Sequence, residues 1–351
     1  MNANADAPSG SADGVTVEAL VAAGRALERD GRPAEAVSQY DRGQRLRPDP
    51  GLSERILRLR CEAAAHPVGH GPALWPPVVA DSFSEAPAPP EVRTADLTAD
   101  LLGSSILNRG CLIVRGLLDQ ADATEVREQA QASLAARDRI VADQAREGDP
   151  QWYRPFEPTD RSLRKTRRFI EEAGGLLMVD SPPVMCGVLD LLGRTGLPEL
   201  ISEYLQEAAV VSARKCVLRC VRGAVPTWHQ DGSFMGADVH SVDVWVALTD
   251  CGPGTGAAGL DVLPVRVDEL LDTQTHGAVH AYSIGEALVD EIGAGRSWVT
   301  PRFEVGDAIV FDERFVHRSA VGEGYGAERY AIEAWYFGAS TVPDRYVPIM
   351  S

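Results

Sequence analysis

The pattern of apolar and polar positions divides the chain near residue 209. Before that point, composition and spacing predict helices over 97–108, 118–147, 182–192 and 198–207, with one short strand over 110–116. After it, short apolar runs punctuated by glycine and proline predict strands over 209–221, 242–249, 259–263, 298–304, 308–312 and 329–337. Many short strands after a helical half predict an α+β fold, with a jelly-roll or cupin-like core supported by helices.

The N-terminal part has a different pattern. Residues 1–14 are polar and predict a disordered tail; they lack the features of a signal peptide, so we expect a cytoplasmic protein. Residues 15–65 predict a helical hairpin that resembles one tetratricopeptide repeat. One such repeat cannot bury its own face, so we expect it either to pack on the catalytic domain or to form a homodimer or protein-partner contact. The resemblance depends on Leu20, Gly24, Leu27, Gly31, Ala36, Tyr40, Gly43 and Pro48.

A proline-rich linker is predicted over residues 66–92, before a catalytic domain over 93–345. Proline at this density neither continues a helix nor fits a central strand. The prolines are Pro67, Pro72, Pro76, Pro77, Pro87, Pro89 and Pro90.

Charge and cysteine usage narrow the function classes. The formal net charge of -17 opposes binding to nucleic acid or to an anionic membrane. No apolar run approaches the roughly 18 residues of a membrane-spanning helix. The six cysteines include no Cys-x-x-Cys pair, so we expect reduced thiols rather than a zinc site.

The main candidate for chemistry is the His-x-Asp pair formed by His229 and Asp231. An isolated pair of this kind is common in turns, so the assignment depends on a third ligand, and His317 follows 86 residues after Asp231. Two histidines and one carboxylate can bind one face of an octahedral Fe(II) and leave the other positions open. In an extended segment His229 and Asp231 would point the same way, with Gln230 turned away.

Arg329 opens a strand twelve residues after His317. An arginine at the mouth of a barrel can clamp the far carboxylate of a dicarboxylic co-substrate with two parallel hydrogen bonds. Ser319 could add a hydroxyl to the same carboxylate, while the near end of a 2-oxo acid would chelate the iron.

Together these residues resemble the phytanoyl-CoA dioxygenase-like branch of the Fe(II)/2-oxoglutarate-dependent oxygenases, over roughly residues 100–340. The resemblance implies a double-stranded β-helix, with Fe(II), 2-oxoglutarate and O2 as cofactor and co-substrates. It implies His229, Asp231 and His317 as catalytic iron ligands. It also implies Arg329, Ser319 and, as a weaker transfer, Trp245 at the 2-oxoglutarate. The motifs that carry it are Trp228-His229-Gln230-Asp231, Trp245-Val246-Ala247-Leu248, Leu260-Asp261-Val262-Leu263-Pro264, Gly306-Asp307, His317-Arg318-Ser319 and Arg329.

One departure and one retained residue bear on the reaction. Where the family often has Pro-Gly-Ser-His, this chain reads Leu263-Pro264-Val265-Arg266, at the border of the substrate entrance. The substrate class therefore does not transfer. Halogenating relatives replace the carboxylate ligand by a small residue, so Asp231 favours hydroxylation, or desaturation or ring formation, over halogenation.

Substrate contacts are predicted at Lys215, Arg219, Arg168 and Trp228. Lys215 and Arg219 share a face of the strand that leads to His229. Arg168 belongs to a basic cluster that is either a solvated helix face or the binding site of an anionic substrate. The cluster comprises Arg161, Arg164, Lys165, Arg167 and Arg168.

The sequence thus predicts a non-haem Fe(II)/2-oxoglutarate oxygenase that hydroxylates a small organic molecule in a biosynthetic tailoring step. One alternative is a peptide or protein hydroxylase that recruits its target through residues 15–65. A second alternative is a cupin-like sensor that holds metal without turnover.

Overall fold

The structure is a computed structural model. It describes residues 15–65, 71–72, 74–83, 88–158, 162–222, 227–236, 238–278 and 280–351. The predicted tail 1–14, parts of the linker over 66–92 and Arg161 of the basic cluster lie outside these residues.

The N-terminal segment forms helices α1 (Val17–Arg29), α2 (Pro33–Leu46) and α3 (Pro50–Ala64). Tyr40 is fully buried in α2, and its hydroxyl donates a 2.5 Å hydrogen bond to Glu28 in α1, which fixes the two helices together. The N-terminal helices are present as predicted. Their assignment to the tetratricopeptide family stays a prediction.

Helix α3 joins this hairpin to the rest of the chain. Its Leu57 is fully buried in the main hydrophobic core. Its Arg60 donates to the backbone oxygen of Met350 at 2.7 Å and pairs with Asp41 at 2.7 Å. The N-terminal hairpin therefore packs on the rest of the chain through α3. This is one of the two arrangements expected for a single repeat, the other being contact with a second copy or a partner.

The middle of the chain is helical: α4 (Ala99–Arg109), α5 (Gln120–Val141), α6 (Asp149–Trp152), α7 (Arg164–Glu172), α8 (Pro182–Arg194) and α9 (Leu197–Leu205). The helix predicted over 118–147 extends too far: α5 ends at Val141, and α6 begins only at Asp149, beyond the predicted stretch. Asp119 caps the first of them by accepting from the backbone N–H of Asp122. The Asp149 carboxylate accepts from Arg139 and from the backbone N–H of Arg146, which ties the intervening turn to α5.

The large sheet contains β1 (Glu91–Arg93), β2 (Cys111–Arg115), β3 (Gly175–Leu177), β4 (Ala209–Arg222), β5 (Ser241–Ala247), β7 (Ala308–Phe311), β9 (Glu328–Gly338) and β10 (Pro348–Met350). The strand order is β1-β2-β7-β5-β9-β4-β10, and β3 pairs with β4. A second sheet pairs β6 (Leu260–Val262) with β8 (His317–Ser319). Short helices α10 (Gly232–Met235) and α11 (Glu286–Gly293) lie in the connections.

Alternation along the strands separates two cores. Val242, Val244 and Val246 of β5 face the helices α4, α5, α8 and α9. Trp245 and Ala247 of the same strand face the opposite way, toward the smaller sheet. Both faces of β5 are buried, so its period of two distinguishes two interiors rather than interior from solvent. The candidate site lies in the interior between the two sheets, where His317 contacts Phe311 and Phe315.

Strand predictions differ from the structure mainly at 298–304. That stretch contributes only isolated pairings, of Val299 with Val262 and of Phe303 with Cys251. Pro301 lies between them and has no N–H to donate to a ladder.

The Gly306-Asp307 turn is explained by its contacts. Gly306 has φ +91°, and a Cβ there would lie 2.1 Å from the backbone oxygen of Leu118. The Asp307 carboxylate accepts from the backbone N–H groups of Gly116 and Glu304 at 2.9 and 3.0 Å. The Gly306-Asp307 motif therefore fixes the backbone at the start of β7 through these contacts.

In the part of the chain that the structure describes, no helix has the length and apolar character needed to cross a membrane.

Candidate metal centre

The two candidate histidines are neighbours across a short antiparallel pairing. The N–H of His229 donates to the backbone oxygen of His317 at 3.1 Å, and the N–H of His317 returns a bond to His229 at 3.2 Å. Directly opposed residues of such a pair project their side chains to the same face. The two imidazole centroids are consequently 4.4 Å apart, although 88 positions of sequence separate the residues.

Asp231 reaches the histidines from a turn and not from an extended strand, which corrects the expected geometry. Its backbone is helical (φ -65°, ψ -24°) and caps α10. Gly232 permits this turn through close packing: a Cβ would lie 2.3 Å from Leu270, and its N–H donates to the backbone oxygen of Glu313 at 2.8 Å.

Gln230 is turned away from the ligands, as expected, but it is fully buried. Its amide nitrogen donates to the backbone oxygens of Arg314 and Glu269, and its amide oxygen accepts from the N–H of Leu271. The residue between the ligands therefore fixes the loop around them, a role that the sequence pattern did not indicate.

The three side chains place one ligand atom each within 4.8 Å of the others. The Asp231 Oδ2 lies 3.7 Å from Nε2 of His317 and 4.0 Å from Nε2 of His229. Each Nδ1 faces a backbone oxygen, that of Thr227 at 2.9 Å and that of Phe315 at 3.2 Å. Those bonds orient Nδ1–H outward and leave both Nε2 lone pairs for a metal. The donor set fits a divalent iron.

The electrostatics of the cluster also suit a metal. Burial and the neighbouring His229 lower the pKa of His317 to about 4, so it is a neutral ligand near pH 7. Burial alone would raise the pKa of Asp231, but Lys215, His229 and His317 together hold it below its usual range.

Arg329 lies at the start of β9 and is buried without an ion pair among the described residues. One terminal nitrogen donates to the backbone oxygens of Ala258 and Gly259 at 3.1 and 2.8 Å, while Nε has no partner among the described atoms. The guanidinium carbon lies 5.5 Å from the ring centroid of Trp245. A buried, incompletely bonded arginine on an aromatic surface fits an incoming carboxylate.

Ser319 ends β8, two residues after His317, and so shares its side of the strand. Its contact with a co-substrate stays a prediction.

The residues predicted to contact substrate have other partners in the structure. Lys215 donates to Asp231 Oδ1 at 3.0 Å, and Arg219 makes a two-point contact with Glu333 at 2.9 and 2.7 Å. Arg168 is 82% exposed and pairs with Glu172. Trp228 is buried beneath Arg318, whose guanidinium carbon lies 4.4 Å from the ring centroid. Their substrate roles stay predictions.

The basic cluster is not one surface. Arg164, Lys165 and Arg168 are exposed on α7. Arg167 is buried and donates to both carboxylate oxygens of Asp180, at 2.6 and 3.0 Å.

Two aromatic residues that the sequence did not single out flank the candidate ligands. Phe234 and Tyr282 each have a ring centroid 6.3 Å from that of His229, and their own centroids are 4.9 Å apart. Phe169 of α7, half exposed, lies 6.3 Å from Phe234. Aromatic residues are common in any core, so only the structure could distinguish these.

A comparison with solved structures finds likenesses at low sequence identity. AviO1 from Streptomyces viridochromogenes Tue57 is 21% identical, with 70% of this chain and 98% of that chain covered and a TM-score of 0.44. EctD from S. alaskensis, solved with 2-oxoglutarate and 5-hydroxyectoine, is 16% identical, with coverages of 79% and 85% and a TM-score of 0.47. The carbocyclase SnoK from nogalamycin biosynthesis is 14% identical, with coverages of 70% and 86% and a TM-score of 0.43.

A comparison with curated proteins finds no match. The family model described as phytanoyl-CoA dioxygenase (PhyH), in contrast, matches residues 107–321, which is more than half of the chain and includes His229, Asp231 and His317. The chain therefore belongs to the phytanoyl-CoA dioxygenase family of iron- and 2-oxoglutarate-dependent oxygenases.

Proposed function

We propose that the protein hydroxylates an unactivated C–H bond of a small organic molecule, as a tailoring step in biosynthesis. His229, Asp231 and His317 would hold the Fe(II). The observation that carries the proposal is the convergence of these three ligand atoms within 4.8 Å of one another, with His317 buried and His229 and Asp231 partly exposed. When bound there, Fe(II) would supply the redox chemistry that links the decarboxylation of 2-oxoglutarate by O2 to oxidation of the substrate.

The protein's part in this reaction is to bind and orient. Arg329 would hold the far carboxylate of 2-oxoglutarate, and Trp245 would form the wall against which that end rests. Because Arg329 is buried and lacks an anionic partner among the described residues, it already carries the desolvation cost that a surface arginine would meet on binding.

The contacts around His229 support a small substrate with an apolar part. Phe234 and Tyr282 form an aromatic wall beside His229, and the half-exposed Phe169 continues this wall toward solvent. Such a wall would pack against apolar groups of the substrate and would exclude water from the carbon that reacts.

The peptide-hydroxylase alternative assigns target recruitment to residues 15–65. The packing of α3 on the main core through Leu57 and Arg60 supports a structural role for that segment instead. A pull-down of a peptide target that requires residues 15–65, with no turnover of small molecules, would favour the alternative.

Anaerobic titration tests the metal and co-substrate site. Protein with Fe(II) and 2-oxoglutarate is expected to show the visible charge-transfer band of a chelated 2-oxo acid, and His229→Ala or His317→Ala is expected to abolish it. His276→Asn is a matched control, because His276 is an exposed histidine that bonds only to the adjacent Thr275 among its described side-chain contacts.

Loss of the band in the His276 variant, or its survival in the His317 variant, would refute the site. A screen for substrate-stimulated succinate release then tests the reaction. A metal-holding sensor would release no succinate with any candidate substrate.

A further inference from the structure

The two oxygens of Asp231 have different surroundings. Oδ2 faces the Nε2 atoms of both histidines, at 3.7 and 4.0 Å. Oδ1 instead accepts a 3.0 Å hydrogen bond from the Nζ of Lys215. The carboxylate is thus divided between the candidate metal position and one largely buried cation.

Lys215 reaches this place because β4 is irregular. The pairing of β4 with β9 shifts register between Val211 and Cys216, so Lys215 lies in the irregular stretch of the strand. A bulge re-aims the side chains beside it. The ammonium then lies 5.2 Å from the ring centroid of Phe234 and 5.5 Å from that of Trp335, which hold it by cation–π contact.

We propose that Lys215 is a positioning residue that holds Asp231 as a one-oxygen metal ligand, rather than a substrate-binding residue. A carboxylate can bind a metal through one oxygen or through both. With Oδ1 engaged by Lys215, only Oδ2 faces the histidines, which leaves more of the metal's positions for 2-oxoglutarate and O2.

The contact between Lys215 and Asp231 is specific, because a neighbouring cation on the same strand binds a different carboxylate. Arg219 lies four residues further along β4 and is also a largely buried cation, but it donates to Glu333 and to the backbone oxygen of Ala173. Each of these two cations therefore has its own carboxylate, and Lys215 is the one of the two that contacts a candidate metal ligand.

Binding of Co(II) to metal-free protein tests the proposal without any turnover. Removing a partner of a metal ligand typically weakens metal binding by about 10–100-fold. We expect a loss of that size for Lys215→Met, with a changed visible Co(II) spectrum, and recovery of most of the affinity in Lys215→Arg, which restores a cationic donor.

Two controls accompany this measurement. Lys165→Met makes the same chemical change at an exposed position on α7, at the only other lysine of the chain. Arg219→Lys perturbs a largely buried cation of the same strand but keeps its charge. Both are expected to bind Co(II) within about threefold of wild type, since neither contacts Asp231 in the described structure.

A double-mutant cycle with Asp231→Asn keeps the test decisive if the single variants lose stability. The effect of Lys215→Met on Co(II) affinity should largely vanish in the Asp231→Asn background, because the interaction through which it acts is already removed. An unchanged effect there, or Lys215→Met binding within about threefold of wild type with the same spectrum, would overturn the proposal. Equal losses in Lys215→Met and Arg219→Lys would do the same.

The inference rests on the proposed metal site, but the two fail differently. Wild-type protein that does not bind Co(II) would refute the site itself. Wild-type protein that binds Co(II) no better than Lys215→Met would refute only the role of Lys215.

Discussion

Asp243 is a buried carboxyl group whose presence should lower the stability of the metal-free protein. It lies on β5 with 3% of its surface exposed, and its Oδ1 has no partner among the described atoms. Burial, and the negative charges of Glu333 and Asp231, raise its pKa well above the ordinary value, while Lys215 opposes the rise. We expect Asp243→Asn to stabilise the fold at neutral and alkaline pH.

The sign follows from proton linkage. The folded pKa of Asp243 lies above its unfolded value of about 3.9, so its contribution to stability is fully present below that pH. The contribution is lost as the pH rises through the elevated folded pKa. Asparagine does not ionise, and therefore the advantage of Asp243→Asn should grow across the same window. Each unit by which the folded pKa exceeds the unfolded one is worth about 1.4 kcal/mol, so the gain at alkaline pH should exceed about 1 kcal/mol.

Urea denaturation of metal-free wild type and Asp243→Asn, from pH 4 to pH 9, measures this difference. Burial and Asp312 raise the pKa of Glu313 to about 8, but Glu313 titrates in both proteins and largely cancels. Asp344→Asn serves as a control at an exposed aspartate. A gain that does not change with pH, or an Asp243→Asn protein less stable than wild type at pH 9, would refute the reasoning.

Three further changes address the co-substrate site and the frame. Arg329→Met should weaken 2-oxoglutarate binding by about 2–5 kcal/mol, at least about 30-fold, with Co(II) affinity unchanged in calorimetry; equal losses of both would contradict its assignment. Arg167→Met should cost about 3–5 kcal/mol in urea unfolding, since it leaves the buried Asp180 without its cation, and unchanged stability would refute that. Gly306→Ala should cost more than about 1 kcal/mol through its positive φ and its contact with Leu118, and unchanged stability would show that the turn relaxes.

The candidate triad could be predicted because its residue types are rare in combination. Two histidines and an aspartate that converge in space also stand out in sequence when one pair has His-x-Asp spacing and the strand pattern returns the third, His317, to the same place. The fold class was predictable for a different reason: the apolar runs of β4, β5, β7 and β9 are long enough to be recognised as strands in the sequence.

The surroundings of the triad depend on irregular backbone, which leaves no periodic signal. Lys215 is aimed by a register shift in β4, and Asp231 projects from a turn rather than a strand. Sequence alternation places Lys215 and Arg219 on one face but does not reveal that they bond to different carboxylates. Short pieces such as β3 and β10 are too brief to show a pattern.

Register also decides which charges inside the core are paired. On β9, Arg329 and Glu333 are four residues apart and point into the interior, where Glu333 lies opposite Trp245 and pairs with Arg219. A slip of one residue would carry both side chains to the helical face. The same register therefore neutralises Glu333 and leaves Arg329 without an anion among the described residues. Strand pairing thus determines that Arg329 is available for 2-oxoglutarate. The sequence therefore indicated the arginine, but it did not indicate that the arginine would lack an anionic partner.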